Sequence, residues 1–153
     1  KLSHIKLSEL ITALYQTNVE NARDAGVMLD IDIHDDHAQV LGETEAIDQL
    51  LTNLVDNAIK YTGKGGKVTV HLKSVGHMAS IEVEDSGIGI SQEETARIFE
   101  RFYRVDRARS REVGGTGLGL AIVKHIAQAH NGTVSVDSQL GMGTTFTVQI
   151  PLA

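Results

Sequence analysis

Val83-Glu84-Asp85-Ser86-Gly87-Ile88-Gly89-Ile90-Ser91 is an apolar strand that runs into an acid and then a glycine turn. Further along, Gly114-Gly115-Thr116-Gly117-Leu118-Gly119 leads into the apolar run Leu120-Ala121-Ile122-Val123, which reads as the opening of a helix. A carboxylate beside a glycine turn can accept a hydrogen bond from the exocyclic amine of a base. It then favours adenine's amine over guanine's carbonyl. Glycines there also let backbone come close to a flat ring. A glycine turn at a helix start offers unpaired N–H groups and the positive end of the helix dipole to phosphate. Together the two segments point to a nucleotide site built from separate loops. Each has a plainer reading as well: Asp85 to Gly89 as a turn after a strand, and Gly115-x-Gly117-x-Gly119 as an ordinary glycine loop.

Outward from these segments, Leu7, Leu10, Ile11, Leu14 and Val19 recur at roughly helical spacing over residues 7–25, and Gly26 can stop that helix. Residues 27–33 alternate as a strand, His34-Asp35-Asp36-His37 reads as a turn, and residues 38–41 as a short return strand. A helix over 44–61 carries the apolar stripe Ile47, Leu50, Leu51, Leu54 and Ala58. Residues 67–74 and 78–85 read as paired strands around Gly76. Ser91 and Glu94 have capping-box spacing ahead of a short helix that ends near Phe99. Residues 103–116 are polar, Arg-rich and without period, and read as a mobile loop. A helix over 117–130 stops at Asn131-Gly132, and strands at 133–138 and 144–150 close the chain through Gly141-Met142-Gly143. Strand pairs thus alternate with helices. This is an α+β order, distinct from the strand-helix-strand alternation of dinucleotide-binding and P-loop domains. The second glycine cluster also lacks the Gly-Lys-Ser/Thr ending of a P-loop.

A chain of 153 residues is the size of one domain and can bury a full core. There is no run of about twenty apolar residues to span a membrane. No cysteine is present, which excludes disulfides, zinc–cysteine sites and thiol nucleophiles. A net charge of -6 argues against a nucleic-acid-binding face and suits a cytoplasmic domain. The histidines His34, His37, His71, His77, His125 and His130 show no metal-ligand spacing and read as surface or packing residues. Phe99, Phe102 and Tyr103 read as a core anchor at the base of the Arg-rich loop.

On the helix over 44–61, Asn53, Asn57 and Lys60 share one edge beside the apolar stripe. That edge is either a solvated flank or a ligand-facing one. An Asn oxygen is a hard, neutral ligand suited to Mg²⁺, and Lys offers a point charge to phosphate. Arg101, Arg104, Arg107, Arg109 and Arg111 are either a solvated run or a source of contacts to a terminal phosphate.

Taken together, the motifs resemble one family. Asn53-Leu54-x-x-Asn57-Ala58-x-Lys60-Tyr61, Asp85-x-Gly87-x-Gly89, Phe99-x-x-Phe102-Tyr103-Arg104, Gly115-Thr116-Gly117-Leu118-Gly119-Leu120 and Gly141-x-Gly143-Thr144-Thr145-Phe146 resemble, in order and spacing, the N, first glycine, F, second glycine and third glycine boxes of sensor histidine kinases. The resemblance runs from about Leu7 to Leu152. It implies a Bergerat-type two-layer α/β sandwich, with a mixed sheet of about five strands and three main helices on one face. It implies a catalytic ATP-binding domain over residues 7–153, preceded at 1–6 by the remnant of a linker from a helical dimerisation domain.

The resemblance also implies roles. Asn57 holds Mg²⁺ against the phosphates of ATP, Asn53 lines the phosphate side, and Lys60 contacts phosphate. Tyr61 borders adenine and ribose. Asp85 binds the adenine amine, with Gly87 and Gly89 shaping that wall and Ile90 beside them. Arg104 reaches toward the terminal phosphate. Gly117, Leu118 and Gly119 present backbone amides to phosphate, flanked by Thr116 and Leu120. Thr145 helps to close the adenine pocket, and the loop at 103–116 acts as a lid.

The acceptor histidine of the family lies on a separate helical domain, in a motif like His-Glu-Leu-Arg-Thr-Pro that these residues do not contain. His34-Asp35, the nearest pairing, falls in a turn. The chain therefore reads as an excised, monomeric catalytic domain. Its partners are the helical dimerisation and phosphotransfer domain of the same protein and, downstream, a response regulator, with no nucleic acid and no membrane contact by this segment. Full-length relatives are often membrane-anchored. Two alternatives share the fold: ATP-hydrolysing relatives, which carry a Glu general base where this chain has Asn53, and a serine kinase that regulates a sigma factor.

Overall fold

The computed structural model describes residues 1–101, 103 and 119–153. In chain order the elements are β1 (Ser3–Lys6), α1 (Leu7–Asp24), β2 (Met28–Ile33), β3 (Gln39–Gly42), α2 (Thr44–Thr62), β4 (Lys67–Val75), β5 (Met78–Asp85), α3 (Gln92–Thr95), α4 (Gly119–Ala129), β6 (Thr133–Gln139) and β7 (Gly143–Pro151). Five strands form one sheet in the order β2-β4-β5-β7-β6. Strand β2 runs parallel to β4 and every other neighbour is antiparallel, so the sheet is mixed. Helices α1, α2 and α4 cover one face of it. This is the expected two-layer α+β sandwich.

Alternation along the strands decides which side is buried. Val70, Val83 and Phe146 stand opposite one another across three strands, and Leu72, Ile81 and Val148 form the next row. All six are essentially inaccessible. They meet Ile47, Leu50, Leu51, Leu54, Val55 and Ala58 of α2, a stripe recurring every three or four residues. Each fully buried Leu, Ile or Val contributes roughly 1.5–3 kcal/mol, so this stripe fixes α2 far more firmly than helix propensity could. Phe99 packs edge-on to Phe146 with ring centroids 6.0 Å apart, and Tyr103 lies partly buried against the core. Both fit the expected anchor; Phe102 is outside the described residues.

Two local expectations change. Residues 27–33 and 38–41 do not pair as a hairpin. Strand β2 joins the main sheet, where Leu29, Ile31 and Ile33 extend the apolar face of β4. Strand β3 pairs antiparallel with β1, in a separate two-stranded sheet. The partner β1 spans four residues with one buried side chain, Ile5, which is too little to show a period in sequence. Residues 3–6, read as linker, are thus hydrogen-bonded into the fold. The helix after Ser91 is also shorter than expected: Ser91 Oγ accepts from the Glu94 N–H at 3.3 Å as the capping box predicts, but α3 ends at Thr95.

His130, just past α4, ties the end of that helix to the start of α2. Its Nε2 accepts from the Glu43 N–H at 3.1 Å, at the start of α2, while Nδ1 lies 2.7 Å from the Ile126 carbonyl. The first bond needs an unprotonated Nε2 and the second a proton on Nδ1, so the ring is the neutral Nδ1–H tautomer. Among the described residues no helix is long and apolar enough to cross a membrane.

Gly143 sits where β7 leaves the β6–β7 turn, at φ +91°, and a Cβ there would lie 2.1 Å from the Asp85 carbonyl oxygen. Gly143→Ala should therefore push β5 from β7 and cost about 1–3 kcal/mol. Thermal unfolding followed by circular dichroism should show a midpoint lower by roughly 3–10 °C. An unchanged midpoint would mean that the two strands can separate there at no cost.

Candidate nucleotide-binding site

Asp85 is the last residue of β5 and belongs by parity to the buried face, in the row Val68–Asp85–Thr144–Ser138. It is only 8% exposed. A carboxylate in an apolar row is costly unless it is hydrogen-bonded. Here Oδ1 accepts from the Gly87 N–H at 2.8 Å, and the Thr144 N–H donates to the same carboxyl. Burial raises its pKa above the ordinary aspartate value. Those two donors pull it back, and the neighbouring charge of Glu84 adds a smaller push upward.

The turn after Asp85 is pressed against the end of α2. A Cβ on Gly87 would meet the Tyr61 carbonyl at 2.6 Å and Thr62 Cα at 3.0 Å. Tyr61 is itself half-buried there. Gly89 lies against the backbone of Gln139 and Leu140, so the turn is also fixed to the β6–β7 connection. Ile90, partly buried, follows with its N–H donated to Ser138 Oγ at 2.7 Å.

Helix α2 supplies the opposite wall. Asn53 and Asn57 are half-buried, one turn apart, on the edge beside the apolar stripe. Asn53 donates from Nδ2 to the Gly119 carbonyl at 3.4 Å, so the first turn of α4 lies against this edge. Leu120 packs partly buried on the core side of that turn. Lys60, one turn past Asn57 and exposed, places Nζ 3.2 Å from Asp56 Oδ2. An exposed i,i+4 pair of this kind is worth little, and it leaves the ammonium available for exchange to a more highly charged partner. The chain thus brings Asn53, Asn57, Lys60, Tyr61, Asp85, Gly87, Gly119 and Leu120 to the edge and the end of one helix, while Gly89 and Ile90 continue the same turn onto the β6–β7 connection. Arg104, Thr116, Gly117, Leu118 and most of the predicted lid lie outside the described residues.

Thr145 is not brought to that group. It stands opposite Glu84, on the face of the sheet away from the helices. The threonine on Asp85's face is Thr144, buried, with its N–H on the carboxyl. A shift of one residue along a strand reverses the side a residue serves.

Ser138 is a second residue that the sequence reading passes over. Its Oγ accepts from the Ile90 N–H, donates to the Gly143 carbonyl at 3.0 Å and lies 2.7 Å from Thr144 Oγ1. This buried hydroxyl joins the first glycine turn to the β6–β7 turn. The signal for both residues was parity: Ser138 continues Val134 and Val136, and Thr144 precedes Phe146, Val148 and Ile150, so each is a small polar residue in a core-facing place.

Comparison with known proteins agrees with this fold. Sensor histidine kinase RppB of Synechocystis sp. is 44% identical over 146 residues, covering 95% of this chain and 32% of the relative. This chain therefore spans about a third of the length of that curated relative. The solved catalytic domain of histidine kinase ThkA superposes with a TM-score of 0.86 at 28% identity, covering 99% of this chain and 97% of the other. ThkA has also been solved in complex with the response regulator protein TrrA, with a TM-score of 0.83 at 26% identity over 99% of this chain and 42% of that one. Full-length ShkA in complex with AMPPNP gives a TM-score of 0.88 at 28% identity over 100% of this chain and 31% of that one. The family described as "Histidine kinase-, DNA gyrase B-, and HSP90-like ATPase" matches residues 42–153, from the end of β3 to the last residue, and the chain belongs to that family.

Proposed function

We propose that residues 7–153 are the catalytic ATP-binding domain of a sensor histidine kinase, which transfers the γ-phosphoryl group of Mg-ATP to a histidine on a separate helical domain. The observation that carries this reading is the convergence on α2: Gly87 of the Asp85 turn packs at its end, and Gly119 of the second glycine segment lies against Asn53 on its edge. The likeness to RppB, ThkA and ShkA supports it. The ThkA complex supports a response regulator as the downstream partner.

In this reading Asp85 accepts the adenine amine and Tyr61 borders the base. Asn53, Lys60 and the start of α4 face the phosphates, with Arg104 assigned to the terminal phosphate by the family resemblance. The carboxamide oxygens of Asn53 and Asn57 fit a hard divalent cation: they are neutral, half-buried and one turn apart, and the nitrogen of Asn53 is already turned to Gly119. Asn57 is the Mg²⁺ ligand in this assignment, and bound Mg²⁺ would supply positive charge against the phosphates. An amide at position 53 cannot take a proton from an attacking water, which favours transfer to an imidazole over hydrolysis.

Asp85→Ala should weaken ADP and ATP binding about ten- to a hundred-fold, the loss expected for one charge-assisted hydrogen bond. Calorimetry on the folded variant measures it. Wild-type affinity in that variant would remove Asp85 from the site. The wild-type chain should also bind guanine nucleotides more weakly than adenine nucleotides.

Mixed with the matching helical domain and radiolabelled ATP, the chain should drive labelling of a histidine, and acid treatment should release that label. Asn57→Ala should abolish the transfer while thermal unfolding stays close to wild type. Robust acid-stable labelling of the chain alone would point instead to a hydroxyl acceptor and overturn the histidine kinase reading.

A further inference from the structure

The face of the sheet away from the helices carries a second cluster. On β2 and just past it, Asp32 and His34 point to this face, because Leu29, Ile31 and Ile33 point to the core. His71 stands directly opposite Asp32 on β4, between the buried Val70 and Leu72. Glu84 of β5 lies diagonally beyond it. His34 Nε2 is 3.0 Å and His71 Nδ1 3.1 Å from the same oxygen, Asp32 Oδ2. One donor atom from each of the three residues lies within 4.8 Å of the others.

The other ring nitrogen of His71 decides how the cluster is read. His71 Nε2 lies 2.9 Å from Glu84 Oε1. A carboxylate there keeps a proton on Nε2; Nδ1 faces the Asp32 carboxylate in the same way, and a metal ion taken up between them would release the proton that Nδ1 shares with Asp32. A histidine that donates its outer N–H to a carboxylate while its inner nitrogen converges with other donors is the usual arrangement around a bound metal ion. In a tetrahedral site with bonds of about 2.0–2.1 Å, neighbouring ligand atoms lie about 3.3 Å apart. Two of the three separations here are within a few tenths of an ångström of that, and the exposed His34 side chain can swing to close the third.

We propose that Asp32, His34 and His71 form a divalent transition-metal site of the Zn²⁺ class, with Glu84 orienting His71 from behind. Two imidazoles and one carboxylate suit Zn²⁺ rather than the hard Mg²⁺ that the Asn57 edge fits. Solvent completes the coordination, since the face is open. The ion would pin the edge strand β2 to β4. It lies on the opposite side of the sheet from Asp85, so it is independent of nucleotide.

The test is titration of Zn²⁺ alone into the metal-stripped chain, without nucleotide, in competition with a chromophoric chelator. One equivalent should bind and raise the thermal midpoint, by on the order of 5–10 °C at a hundredfold excess over Kd. His71→Ala and His34→Ala should each remove most of the affinity, and Glu84→Gln should weaken it about 10–100-fold. His37→Ala, a histidine in the neighbouring turn beside Asp36, should bind as wild type. If His71→Ala does not fold, Asp32→Asn, which keeps the side-chain volume, decides in its place. Failure of the wild-type chain to compete for Zn²⁺ would overturn the site, as would binding that survives loss of both His34 and His71. The cluster would then be a set of ion pairs joining three strands.

Discussion

A carboxylate in the core-facing row of the sheet is the constraint on which the site depends. Asp85 continues the line of Ile81 and Val83, and at that depth it needs donors. The Gly87 and Thr144 N–H groups provide them, and each requires backbone at close range. Thr144 can donate only because Gly143 lets β7 approach β5 at a place where a side chain would strike the Asp85 carbonyl. The two strands, the two turns and the buried Ser138–Thr144 hydroxyl pair are therefore one unit. The donors compensate for burial only in part, since the pKa of Asp85 remains raised. A carboxylate held in that condition gains from a further donor, which is what a base amine offers.

Helix α2 is the frame around which the remaining parts are placed. Its apolar stripe is sunk in the sheet, its Asn53 edge meets the start of α4, and its last turn meets Gly87. Its first turn is held from the far end of α4 by His130. Because α4 contacts α2 at both of its own ends, a shift of one helix would move the Asn53 edge and the Gly87 turn together. Among the described residues the site is assembled at the margins of packed elements, on the edge and at the end of α2.

The sheet separates two chemistries by parity alone. Asp85 and Glu84 are consecutive, yet one faces the helices and the other the open side, beside His71. Amide oxygens and a buried carboxylate gather on one side, and imidazoles with exposed carboxylates on the other.

Much of this was legible in the sequence, because helix stripes, strand alternation and glycine turns are local. The α2 stripe follows from residues three and four apart, the capping box from Ser91 and Glu94, and the strand pair β4–β5 from alternation around one turn. The order of motifs was enough to indicate the family. Tertiary structure decided whatever depends on partners distant in the chain. Strand β2 pairs with β4 rather than β3, because the apolar faces to be matched lie far apart in sequence and β1 is too short to announce itself. Thr144 rather than Thr145 stands beside Asp85, because register fixes which side a residue serves. Asp32, His34, His71 and Glu84 show no ligand spacing along the chain. The period of two places Asp32 and His34 on one face, but His71 and Glu84 join them only because three strands lie side by side about 4.8 Å apart.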